Sequence, residues 1–259
     1  MDLIALQGMH QHAGVSSVAA ALAWSIARSP DSGGRSVFID SSPSSWGGTE
    51  IFGIPAEFPS WTDVSVNLKT FLSRSALYDG SVLVIPARSG DPAPDAARVS
   101  VLLDELETLS RYTAVADAGL RGSAAARTFA ARADIVFTVA SADAAGEAEL
   151  MSCIPGSNEY FLINCSDTRS PASRDAVARL RKHPVIGPRI LDAVIPLDEF
   201  VREAAMKPEP YTRYLDYSEA SYQTERLLLD IRLIRSRAGD SGDSAAGTGL
   251  RNGETVIKS

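Results

Sequence analysis

The opening stretch, MDLIALQGMHQHAGVSSVAAALAWSIAR (residues 1–28), constrains the fold more than any other part of the chain. Leu3, Ile4, Ala5 and Leu6 form the short apolar run of a strand buried on both faces, and Ala19, Leu22, Ala23 and Ile26 then recur at helical spacing. A buried strand that passes through a glycine-bearing segment into a buried helix is the first unit of a parallel α/β sheet. The same unit recurs along the chain. Apolar runs predict strands at 2–7, 36–40, 82–86, 112–117, 134–140, 159–164 and 190–195. Helical patterns fall between most of them, at 16–28, 62–74, 94–110, 121–132, 143–152, 171–182, 198–206 and 218–236. The expected architecture is α/β: a doubly wound, mostly parallel sheet with helices on both faces, whose ligands bind at the carboxyl ends of the strands. With 259 residues, 45% of them hydrophobic, one domain over 1–236 suffices. The Gly/Ser-rich remainder, 237–259, reads as a flexible tail.

Gly8 to Ser17 sits where a phosphate loop would. Such a loop, G-x-x-x-x-G-K-S/T, brings backbone N–H groups to the phosphates, reaches the β and γ oxygens with a lysine and offers a hydroxyl to magnesium. Aligned on Gly14, the chain has Met9 at the first glycine, Val15 at the lysine and Ser16 at the hydroxyl, so the cationic position is lost. The plainer account is that Gly14 to Ser17 starts a helix, with Ser16 or Ser17 capping its first amides.

On these residues the chain resembles the MinD and ParA phosphate-loop ATPases. Leu6-Gln7-Gly8, Gly14 and Ala20 to Ser25 are similar to one branch of them, the BcsQ family of bacterial cellulose secretion systems. His10, Gln11 and His12 replace that branch's arginine and paired glycines, and Val15, Ser16 and Ser17 replace its threonines. The resemblance implies roles for residues elsewhere. Asp40 and Pro43 match the D-x-x-P segment near the γ-phosphate and the attacking water, which makes Asp40 the one residual catalytic candidate. Asp117 matches the carboxylate that orders magnesium, with Ser16 as the other candidate at a metal. Asn164 resembles the asparagine that faces adenine, and Ile195-Pro196-Leu197-Asp198-Glu199 resembles the loop on its other side. Gly14, Ser16, Ser17, Asp117, Asn164 and Pro196 are thus the candidate nucleotide-binding positions. Asp40 and Asp117 also fit a simpler part, since carboxylates at strand ends cap turns and helices.

Composition narrows the function. A net charge of −7 with no basic stripe argues against a nucleic-acid binder. Cys153 and Cys165 alone make no disulfide framework. His10 and His12, with only His183 besides, are a poor start for a metal centre, and a steric part in filling the loop suits them better. Neither a leader segment nor a membrane-spanning run is evident, so a cytoplasmic protein is expected, possible recruitment to the inner-membrane face being indirect. Trp46 and Trp61 lie in a loop expected over 41–61, as a partner surface or, more commonly, as cover for the core edge. The final helix carries Leu227 to Leu229, Ile231, Leu233 and Ile234 among arginines, a pattern shared by core packing and by a membrane-surface helix.

Two functions follow from the resemblance. One is a non-hydrolysing homodimeric adaptor of a cellulose synthase complex or of a small cytosolic accessory subunit, with no cofactor. The other is an ATP-dependent dimerisation switch of the MinD/ParA type that positions or activates the synthase complex, binding ATP or ADP with magnesium weakly through the eroded loop.

Overall fold

The computed structural model describes residues 1–30, 34–42, 47–72, 76–108 and 112–246, with side chains to residue 237. Eight strands form a single sheet: β1 (Asp2–Gly8), β2 (Ser36–Asp40), β3 (Ala76–Tyr78), β4 (Val82–Ile85), β5 (Thr113–Leu120), β6 (Ile135–Ser141), β7 (Glu159–Ser166) and β8 (Ile190–Pro196). Their order is β3-β4-β2-β5-β1-β6-β7-β8, and every pairing is parallel except that of β3 with β4. The seven expected strands are present. β3 was not expected: three residues, none fully buried, on the edge of the sheet leave no readable run.

Alternation along the strands divides the core. Ile4 and Leu6 face α1 (Val15–Arg28), whereas Leu3 and Ala5 face α4 (Ala96–Glu107) and α5 (Ala124–Arg132) on the opposite side. α6 (Ala144–Met151) and α7 (Pro171–Lys182) cover β6 and β7, and α8 (Glu199–Ala205) follows β8. The last helix, α10 (Glu219–Ala246), packs on β8 and α1 through Ala220, Leu227, Ile231 and Ile234. Its backbone continues ten residues past the expected boundary at 236, and 247–259 lie outside the described residues.

Three short helices depart from expectation. α3 (Leu68–Leu72) is the helical part of the stretch expected over 62–74. α2 (Gly48–Ile51) falls in the stretch expected as loop, and α9 (Tyr211–Tyr214) between two expected helices. One helical turn cannot display a 3.6-residue period, so neither was visible.

β1 is hydrogen-bonded to β5 on one side and β6 on the other. The chain leaves β1 through α1 toward β2 and leaves β5 through α5 toward β6, so the two connections diverge there. The carboxyl ends of β1 and β5, where the connections run opposite ways, are the place where doubly wound sheets hold ligands.

Candidate functional site

Gly14, in the loop that leaves the carboxyl end of β1, is the N-cap of α1 with φ +83°, a left-handed conformation that suits glycine. A Cβ here would lie 2.3 Å from Asn164 Nδ2, at the carboxyl end of β7. The same Nδ2 donates to the Ala13 carbonyl at 2.8 Å. Asn164 therefore clamps the loop, and only a glycine at 14 lets it come so close.

α1 takes no side-chain cap. By contrast α4, α5, α6, α7 and α8 are capped by Asp95, Ser123, Asp143, Ser170 and Asp198. The expectation that Ser16 or Ser17 caps α1 is thus corrected. The N-cap is Gly14, which has no side chain to offer, and the Ser16 hydroxyl donates to Asp117 Oδ2 at 2.5 Å. Ser17 lies half-buried in the first turn.

Asp40 and Asp117 end up side by side, in register across β2 and β5, and both are fully buried. Asp40 accepts from the Thr49 amide and hydroxyl, each at 2.7 Å, and from the Ser42 amide at 3.0 Å. Asp117 accepts from the Gly119 amide at 3.1 Å as well as from Ser16. Burial, then the Asp117 carboxylate, pushes the Asp40 pKa up to about 8, against the lowering effect of its hydrogen bonds. Burial also raises Asp117, opposed by Ser16 and Gly119. Among the described residues no arginine or lysine pairs with either. Two adjacent carboxyls without a cation favour keeping a proton between them.

The neighbouring cation is committed elsewhere. Arg121, four residues beyond Asp117, gives its Nε to Glu159 Oε1 at 2.8 Å and its Nη2 to Glu159 Oε2 at 3.2 Å. Gln7 Nε2 and Thr138 Oγ1 complete the first oxygen, at 3.0 and 2.5 Å, and the Gly156 amide the second, at 2.8 Å. Burial pushes the Glu159 carboxyl upward, but Arg121, Thr138 and Gly156 outweigh it and hold the group below its usual range. The sequence analysis did not find this network. Its signal was Thr138 and Glu159, two polar residues inside apolar strands.

The histidines separate. His10 lies against the β6–α6 turn, with Nε2 3.0 Å from Ser141 Oγ and Nδ1 2.8 Å from the Gln11 carbonyl. His12 is exposed at φ +64°, so only His10 is placed to fill space in the loop. His183 accepts the Val185 and Ile186 amides beyond α7. Among the described residues no three metal-ligating side chains meet. Pro196, at the end of β8, is partly buried, and the next residue's amide donates to the Ser166 carbonyl at 3.0 Å. Trp61 is buried and donates Nε1 to the Asp40 carbonyl at 2.6 Å, covering the core instead of facing a partner. Pro43 and Trp46 lie outside the described residues.

These residues do not fit a nucleotide with magnesium. Val15 stands where a phosphate loop carries its cation, and among the described residues no arginine or lysine pairs with either buried carboxyl, so such a ligand would meet no positive side chain there. What survives is a set of backbone amides at the start of α1 with no side-chain cap.

The sheet order and the glycine loop before α1 define an α/β protein of the MinD/ParA phosphate-loop ATPase fold. MinD from Pyrococcus horikoshii OT3, solved with Mg-ADP, superposes with a TM-score of 0.69 over 97% of this chain and 99% of its own, at 16% identity. MinD from Pyrococcus furiosus gives 0.71 over 90% and 99%, at 17% identity. MinD from Aquifex aeolicus in its MinC:MinD complex gives 0.67 over 89% and 96%, at 14% identity. Identities this low establish the fold alone. No curated protein matches the chain. The sequence profile of the cellulose biosynthesis protein BcsQ family matches residues 88–229, and the chain belongs to that family. The match includes Asp117, Asn164 and Pro196 and begins beyond the phosphate loop.

Among the described residues no helix is long and apolar enough to cross a membrane.

Proposed function

We propose that this BcsQ-family chain is a non-hydrolysing, dimeric adaptor that supports bacterial cellulose synthesis or secretion through protein contacts. Its partner is the synthase complex itself or a small accessory subunit. The observation that carries this reading is the missing cation: Val15 replaces the loop lysine, and Arg121, the arginine just past Asp117, is held by Glu159. A triphosphate placed here would face two carboxyls with no positive side chain between, which is costly unless they stay protonated. The MinC:MinD complex gives a precedent for a protein partner on this fold.

The uncapped start of α1 favours a second reading, in which the amides alone hold ATP or ADP weakly and dimerisation follows nucleotide. Titration calorimetry with ATP and ADP in the presence of magnesium, with mass followed by light scattering, separates the two. The adaptor shows no saturable binding up to millimolar nucleotide and a mass indifferent to ATP. Saturable micromolar binding, or a dimer that needs ATP, overturns it. Asp117→Ala is expected to leave assembly with the cellulose machinery intact. Loss of assembly in a folded Asp117→Ala protein would count for the switch.

A further inference from the structure

Both ring nitrogens of His10 face acceptors. Nδ1 lies 2.8 Å from the Gln11 carbonyl and Nε2 lies 3.0 Å from Ser141 Oγ. A carbonyl oxygen only accepts, so Nδ1 carries a proton. A serine hydroxyl has one proton to give, and Ser141 spends it on Asp143 Oδ2 at 2.7 Å. Toward His10 that hydroxyl is an acceptor, and Nε2 carries a proton as well. Neither neutral tautomer satisfies the two contacts together, whereas the imidazolium does.

The counter-charge is in place. Asp143 caps α6, accepting the Gly146 amide at 2.9 Å through Oδ1. That bond, the Ser141 hydroxyl and the charge on His10 hold its carboxyl below the usual range. The other ionisable groups on the surrounding elements are paired, neutral or turned away. Glu147, in the first turn of α6, is paired with Arg179 of α7 at 2.5 Å. Glu149, two residues on, points to the opposite side of that helix. Burial pushes the Cys165 thiol at the end of β7 up, so it stays neutral. Arg121 is held by Glu159, and His12 is exposed. Asp40 and Asp117 lie beyond β1, on β2 and β5, so the charge on His10 is spent on the β6 side and not on that pair.

We infer that these contacts form a proton-operated latch. Protonated His10 ties the loop after β1 to the β6–α6 turn through Ser141 and Asp143, and loss of one ring proton to solvent releases it. A neutral ring has a single N–H, so one of the two contacts fails, and the charge that draws the ring toward Asp143 disappears with it. Histidine exchanges that proton near neutral pH. The loop has two further tethers, the Met9 amide on the Val139 carbonyl at 2.9 Å and Asn164 Nδ2 on the Ala13 carbonyl at 2.8 Å. Neither of these titrates. Release therefore frees only the stretch between them, His10 to His12. The latch is closed on the acid side of the histidine titration and open on the alkaline side. It needs neither nucleotide nor partner, so it goes beyond the adaptor reading and does not depend on it.

The test is nuclear magnetic resonance on the full chain, without nucleotide, between about pH 5.5 and pH 8.5, the interval in which histidine changes charge. At the acid end both His10 ring nitrogens should read as protonated, with cross-relaxation between the ring and the Ser141 side chain. Toward the alkaline end the ring becomes neutral and the cross-relaxation is lost. The backbone amides of Ala142 and Asp143 should move with the same midpoint as the ring. His10→Gln and Ser141→Ala should each abolish that movement. The first, at a partly exposed position, decides the matter even if the second fails to fold. Asp40 also changes charge in this interval, but it is present in both variants, so any movement it causes survives them. Contact with Ser141 by a neutral ring, contact that persists at both ends of the interval, or contact at neither end would each overturn the inference. So would turn amides that titrate alike in the wild type and both variants.

Discussion

Two buried carboxylate sites, on opposite sides of β1, have been treated in opposite ways. Glu159 has its own cation, and every oxygen is satisfied by Arg121, Gln7, Thr138 or the Gly156 amide. Asp40 and Asp117 share their depth but have only hydroxyls and amides. One carboxyl is held ionised and the other pair is pushed toward retaining a proton. A carboxylate kept for structure is supplied with its counter-charge by the chain, as at Glu159. A carboxylate pair without one has the form of a site whose positive charge was removed, and this contrast underlies the adaptor reading.

The contrast can be broken most directly through pH. The Asp40 pKa rises from 3.8 to about 8 on folding, so across that interval the folded chain keeps a proton that the unfolded chain has released. The stabilisation is complete at the acid end of the interval and is lost as pH rises through it. Denaturant midpoints should therefore fall from acidic to mildly alkaline buffer, and Asp40→Asn should flatten the profile. An identical slope in wild type and variant would show that the pair is ionised. Next in size, Glu159→Ala should cost about 3 kcal/mol in urea unfolding, the low end for opening a buried ion pair because Arg121 is partly exposed. A loss well under 1 kcal/mol would show that the network is dispensable and the comparison empty. Gly14→Ala should cost about 1–2 kcal/mol for its left-handed backbone, besides the clash with Asn164. The smallest effect is that of Asn164→Ala, about 1 kcal/mol for one hydrogen bond. In the double variant the clash should vanish, so the two costs should not add. Strict additivity would mean that Asn164 does not clamp the loop.

Much of this was legible in the sequence, for a physical reason. Parallel strands covered on both faces read as unbroken apolar runs, as Val37-Phe38-Ile39 and Phe161-Leu162-Ile163 do, and seven strands were found that way. The rule that ligands sit at the carboxyl ends of such strands gathered Gly14, Asp40, Asp117 and Asn164, which the fold does bring to one end of the sheet. Side-chain partners were not legible. Nothing local says that Ser16 turns to Asp117 instead of to its own helix, or that Asn164 reaches a carbonyl 151 residues away. The Glu159 network likewise joins residues from β1, β6, β7 and the turn after β5, whose proximity exists only once the sheet has formed.

The indole of Trp61 is bonded to the carbonyl of Asp40 in a setting closed to solvent. That bond makes the chain its own optical instrument. With Trp24 and Trp46 replaced by phenylalanine, the remaining indole is bonded to the main chain of Asp40, the residue that carries one of the two carboxyls, and its emission wavelength responds to a charge that appears there. A proton leaving, a cation arriving or a phosphate binding beside the pair would each register as a colour change, with no label attached.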